Sequence, residues 1–186
     1  PNPKIFQILA AKARGTAAPG DVSKPAGVYQ QTTRQPLTPG SFPTCKFGDG
    51  AFERCIKNTA SDWARYINLA DKYYEPGELT TLIGYEYSPG MPEQGKHHRN
   101  VIFRGSDSLP AVPFSRLNSI NPEGLWDWMD NLRDQGIESL AIPHNSNGSN
   151  GAMFAFTDWS GNNIDQEYAD QRMRNEPLVE ITQVKG

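Results

Sequence analysis

The residue types best suited to catalysis in this chain are its three histidines and one glutamate at the end of an apolar run. Glu86 closes TTLIGYE, His97 and His98 stand just before RNVIFR, and His144 directly follows SLAIP. Each run reads as a strand, and α/β folds place their sites at or just beyond strand ends. Imidazole and carboxylate together suit Zn, Mn or Fe, ions that turn a bound water into a nucleophile near neutral pH. None of the spacings is a closed metal motif such as HExxH, so a structural reading stands beside each residue. A glutamate at a strand end is often only a solvated or salt-bridged carboxylate. Neighbours on a strand face opposite sides, so at most one of His97 and His98 enters a given site and the other is structural. His144 is the best single candidate, because Pro143 before it and the polar run NSNGSNG after it form a loop suited to function. The alternative there is an ordinary surface loop.

Positioning these residues falls to elements read from periodicity. Asn2-Pro3 opens a first helix, with Ile5, Phe6, Leu9 and Ala13 on one face and Gly15 as its stop. Residues 15–59 are rich in Pro, Gly, Thr and Ser and read as a surface insertion, interrupted by a short helical turn at 52–57. Trp63, Tyr66, Ile67, Ala70, Tyr73 and Tyr74 then mark an amphipathic helix that starts near Ser61 and ends at Pro76-Gly77. Strands are predicted over residues 80–87, 99–104, 139–143 and 178–184. Asn121-Pro122-Glu123 starts a helix with a stripe of Leu125, Trp128, Met129 and Leu132 and a stop at Gly136, and Asp165 caps another through Tyr168, Ala169 and Met173. The tryptophans Trp126, Trp128 and Trp159 read as core or cleft wall. Helices alternating with short apolar strands predict an α/β fold of neighbouring, mostly parallel strands, part of a barrel or an open sheet. Residues 1–60 form an N-terminal helix and insertion, and residues 61–186 the central α/β part of a single domain.

Composition narrows the function classes. With a net charge of −3 and scattered Lys and Arg, the chain offers no basic stripe for nucleic acid and no polybasic patch for a membrane. Its apolar runs fall well short of the roughly 18 residues that span a bilayer. An apolar fraction of 37% leaves the core to a few segments. Cys45 and Cys55 lie in a Gly- and Pro-rich stretch. They read either as a local disulfide, which would stabilise by about 2–3 kcal/mol and indicate a periplasmic or secreted protein, or as two thiols. No histidine near them suggests a zinc knuckle. Asn147-Gly148-Ser149 matches a glycosylation acceptor, a triplet common by chance.

The stretches LTTLIGYEYS, HHRNVIFR, NPEGLWDWMD, LAIPHNSNGSNGAMF and EPLVEITQVKG resemble the bacterial family called domain of unknown function 3604, of the PHP (polymerase and histidinol phosphatase) superfamily. The resemblance implies a distorted βα barrel that binds several metal ions through His, Glu and Asp and hydrolyses phosphoesters. It matches Glu86 to a glutamate ligand, His98 to the histidine before the Arg-Asn strand and His144 to the histidine of a Pro-His-Asn motif. His97 falls outside that pattern. Arg99 and Asn145, each next to one of these histidines, are the candidates for substrate contact.

The chain departs from that pattern in lacking the family's Asp-Leu-His-x-His, Thr-Asp-His and Asp-x-His segments. It begins at Pro1 without an initiator Met, and the expectation is an internal piece with an incomplete divalent-metal site (Zn, Mn or Fe). Such a piece is expected to bind metal weakly, to turn over no phosphoester, and to leave open strand edges that invite self-association. The competing expectation is a non-catalytic binding or scaffolding module for a sugar or peptide, with structural histidines.

Overall fold

The computed structural model describes residues 50–89, 95–116 and 118–183. The predicted helix after Asn2, most of the insertion, and Cys45, with the expected pairing to Cys55, lie outside them. Helix α1 (Ala51–Lys72) is one continuous element. The predicted turn at 52–57 and the helix near Ser61 are two parts of it. Between them, the Thr59 hydroxyl donates to the Cys55 carbonyl at 2.9 Å, four residues back, and so stays within the helix. Ile56 and Trp63 are buried, and the Trp63 indole donates to the Pro110 carbonyl at 2.9 Å.

Strands β1 (Ile83–Tyr87), β2 (Arg99–Phe103) and β3 (Ser139–Pro143) form a three-stranded sheet in that order. Helix α2 (Pro122–Arg133) lies between β2 and β3 in the chain, and α3 (Gln166–Asn175) follows β3. Both strand pairs are antiparallel. The expected mostly parallel, barrel-type arrangement is therefore wrong: the described strands make an open antiparallel sheet. The connection of residues 88–98 is shorter than the dozen or more residues that a parallel crossover needs, so β2 returns beside β1. Between β2 and β3 a helix is present, yet it does not make the pair parallel. Residues 104–121 first pass over the sheet, burying Val112, Phe114 and Ile120. The 12 residues of α2 then come back by about 18 Å, close to the length of a five-residue strand. The two traverses cancel, and Arg104 and Glu138 meet where β2 ends and β3 begins, joined by an N–H to carbonyl bond of 3.0 Å.

The register assigns each strand residue to a face. Ile83, Tyr85 and Tyr87 oppose Phe103, Val101 and Arg99, which oppose Ser139, Ala141 and Pro143. This face meets Trp63, Phe114, Leu125, Trp128, Met129 and Leu132 in the core. The other face carries Gly84, Glu86, Asn100, Ile102, Leu140 and Ile142, all half-buried or exposed. One wet and one dry face is the ordinary condition of an antiparallel sheet.

Helix α2 follows its sequence signals closely. Asn121 accepts from the Glu123 amide at 2.9 Å, Pro122 occupies the first turn, and Leu125, Trp128, Met129 and Leu132 are buried. Gly136 takes φ +82°, and Ile137 donates back to Leu132 at 2.9 Å, which ends the helix as the glycine predicted. Asp165 caps α3 by accepting from Tyr168 at 2.9 Å. Asp130 ties the two helices, accepting from Arg174 at 2.7 and 3.0 Å and from Asn175 at 2.9 Å. Beyond α3, residues 178–183 run beside the end of β3 in the same direction, with the Glu180 amide donating to the Pro143 carbonyl at 2.9 Å. They do not join the sheet as the predicted fourth strand. Pro143 has no N–H to return a ladder bond, and Leu178, Val179 and Ile181 stay exposed.

Candidate metal site

The register also explains how the sequence-predicted residues meet. Glu86 pairs with Asn100, and Arg99 with Pro143, so Glu86 is on the open face. His98, one residue before Arg99, and His144, one residue after Pro143, reach that same face by strand alternation. Residues distant in sequence are thereby gathered at one end of the sheet. Glu86 Oε1 lies 2.6 Å from His98 Nδ1 and 3.4 Å from His144 Nε2. The imidazoles stand nearly edge to face, with centroids 6.0 Å apart. One donor atom from each of the three residues lies within 4.8 Å of the others.

Exposure is graded across the trio. Side-chain exposure is 48% for Glu86, 26% for His98 and 7% for His144, so the glutamate forms the mouth and His144 the floor. Partial burial works to raise the Glu86 carboxyl pKa. Hydrogen bonds from His98 and Ser88, with the charge of both histidines, outweigh it and leave the group below its ordinary value. Glu86 is therefore an anion at neutral pH. His144 Nδ1 lies 3.3 Å from the Ile142 carbonyl; in the neutral tautomer that carries its proton there, the N–H points at that oxygen and Nε2 is the nitrogen that could bind an ion beside Glu86.

The other candidates occupy different places. Arg99 runs under the sheet, where only 1% of its side chain is exposed, and donates to Glu176 Oε1 at 2.8 Å and to the His97 carbonyl. Trp126 donates to the same Glu176 oxygen at 2.8 Å, and Arg172 reaches Oε2 at 3.1 Å. Sequence reasoning missed Glu176 as a buried anchor. Its only signal was its place between a helix rich in arginine and a proline. Asn145 is 3% exposed and turns its Oδ1 to the His98 amide at 3.1 Å. His97 is buried with Arg99 in a separate cavity of about 270 Å³ walled by Trp159, Tyr168 and Arg172.

Among the described residues, no helix is long and apolar enough to cross a membrane. The model of one protein family, described as Protein of unknown function (DUF3604), matches residues 2–186. No curated protein and no solved structure matches the chain.

Proposed function

The chain belongs to the DUF3604 family, and we propose that Glu86, His98 and His144 hold a divalent metal ion in a hydrolase site whose substrates are phosphoesters. The observation that carries this reading is the convergence of one carboxylate and two imidazole donors within 4.8 Å on the open face of the sheet. The donor set fits Zn, Mn or Fe. The separations fit too: donors bonded at about 2.0–2.2 Å around one ion lie a little over 3 Å apart, close to the 3.4 Å between His144 and Glu86. His98 and Glu86, at 2.6 Å, share a hydrogen bond that an ion replaces as the proton leaves.

Held there, a divalent ion supplies a Lewis acid and lowers the pKa of water toward neutrality. The chain's own residues then have distinct tasks. Glu86 contributes negative charge at the solvent-facing side, and His144 fixes the buried side. The half-buried Ile142, next to His144 on the same face, limits water around the floor of the site. Phosphoesters as the substrate class come from the PHP-like motifs, since Arg99 is engaged by Glu176 on the other face.

A second reading, a non-catalytic binding or scaffolding module, is favoured by the 2.6 Å His98–Glu86 contact, which gives each group a partner without an ion. An apolar groove of about 430 Å³ between Phe154, Phe156, Met173 and Leu178 would be its binding surface for a sugar or peptide. Calorimetric titration with Zn²⁺ and Mn²⁺ separates the two. Saturable binding that is lost in His144→Ala supports the metal site; no binding by the wild type supports the module. Three protein donors are few for multi-metal chemistry, so hydrolysis of p-nitrophenyl phosphate by this chain is expected to be slow even with metal added.

A further inference from the structure

The ladder between β2 and β3 ends at the pair Arg99 and Pro143. The next residues along it are the two histidines of the site. In an antiparallel pair of the hydrogen-bonded kind, both residues exchange N–H to carbonyl bonds. Here one of the two is made by the backbone: the His144 amide donates to the His98 carbonyl, at a long 3.4 Å. The return bond from the His98 amide goes instead to the side-chain Oδ1 of Asn145, at 3.1 Å.

We propose that Asn145 is a positioning residue of the metal site, its side-chain carbonyl standing in for the missing ladder acceptor and thereby fixing His98 against His144. The inference rests on the metal reading of Glu86, His98 and His144. Two further contacts show that the strands are held together past this point. The Lys96 amide donates to the Gly148 carbonyl at 2.9 Å. Gly95, at φ +80°, comes so close to Ser149 that a Cβ built on it would lie 2.5 Å from the Ser149 carbonyl carbon. Backbone contact therefore extends beyond the strands, and within it Asn145 supplies the bond that the His98 amide makes.

The consequence for the site is geometric. Asn145 is 3% exposed, so its removal leaves a donor with little access to water, and the His98 segment must shift to recover a partner. Metal–ligand distances tolerate only about ±0.2 Å. A modest movement of His98 therefore breaks the alignment of its Nδ1 with Glu86 and with His144 Nε2. Asn145 does not itself touch the ion in this account.

The test uses Co²⁺ as a spectroscopic probe, with Zn²⁺ competition for affinity. Asn145→Ala is expected to weaken binding by about 10- to 100-fold, the usual cost of losing a group that orients a ligand, and to alter the Co²⁺ visible spectrum. Asn145→Asp keeps an acceptor in the same place and is expected to retain the wild-type spectrum. Where Asn145→Ala does not fold, Asn145→Ser serves instead, because its hydroxyl is too short to reach the His98 amide; the same weakening is expected. Wild-type binding with unchanged affinity and spectrum in the variant that lacks the acceptor overturns this inference alone. A wild type that takes up neither Co²⁺ nor Zn²⁺ overturns the metal reading, and this inference with it.

Discussion

On the covered face of the sheet, Arg99 meets Glu176 at 2.8 Å with 1% and 2% of the side chains exposed; on the open face, His98 meets Glu86 at 2.6 Å with 26% and 48% exposed. The distances are similar and the situations are opposite. Glu176 has both oxygens occupied, by Arg99, Trp126 and Arg172, in a place that water does not reach. A charge so buried is tolerable only when fully paired, and a fully paired carboxylate has no capacity left for an ion. Glu86 keeps lone pairs facing solvent, beside two imidazoles that can each give one more. Separation therefore does not distinguish a structural ion pair from a candidate ligand set; unspent coordination capacity does.

The sharpest way to break this comparison is on the covered face. Glu176→Ala leaves Arg99 buried without its partner, and we expect a loss of about 3–5 kcal/mol in unfolding free energy. Urea denaturation measures it, and a loss below about 1 kcal/mol would show that the two faces do not differ as argued.

Metal addition tests the open face. Zn²⁺ at a hundredfold excess over its Kd is expected to raise the unfolding free energy by about 2.7 kcal/mol. Glu86→Gln, His98→Ala and His144→Ala should each abolish the rise, read as a shift in thermal midpoint with and without metal. A rise that persists in all three would place the ion elsewhere.

Acid titration probes a third carboxylate, between α2 and α3. Burial works to raise the Asp130 pKa, but hydrogen bonds from Arg174, Asn175 and Gln171 and the Arg174 charge bring it below the ordinary value. A group whose folded pKa is depressed stabilises the fold above its unfolded pKa, about 3.9, and loses that contribution as pH falls through the folded value. Wild-type stability should therefore drop below about pH 4 by some 1 kcal/mol more than that of Asp130→Asn. Parallel urea midpoints for the two proteins across that range check the sign, and identical slopes would remove Asp130 as a contributor.

The smallest effect sharpens the comparison most. Without metal, Glu86→Gln is expected to change stability by no more than about 0.5 kcal/mol, because the pair it disrupts is half exposed. The same substitution abolishes the metal response. A carboxylate costly to metal binding and nearly neutral to folding is what a ligand predicts and a structural pair does not.

Local signals fixed much of this molecule directly. Asn121-Pro122, Gly136 and Asp165 end or begin helices because their side chains, or the lack of one, act on backbone groups within a few residues. The same locality put Glu86, the His97-His98 pair and His144 at strand ends, so the candidate set was legible from type and position, while the choice of His98 over His97 came from the likeness to the family. What the sequence could not decide was direction and partnership. The helix between β2 and β3 suggested parallel strands, but residues 104–121 take the chain back across the sheet before α2 returns, and only the packing of Val112, Phe114 and Ile120 reveals that extra traverse. Arg99 and Asn145 sit next to the candidate ligands in the chain and looked like substrate contacts. Strand alternation sends Arg99 to the far face, where Glu176 lies 77 residues on, and the ladder's end turns Asn145 toward the His98 amide, 47 residues back. Caps and turns are decided by neighbours in sequence, whereas the role of a buried polar side chain is decided by whichever distant partner the fold brings within about 3 Å.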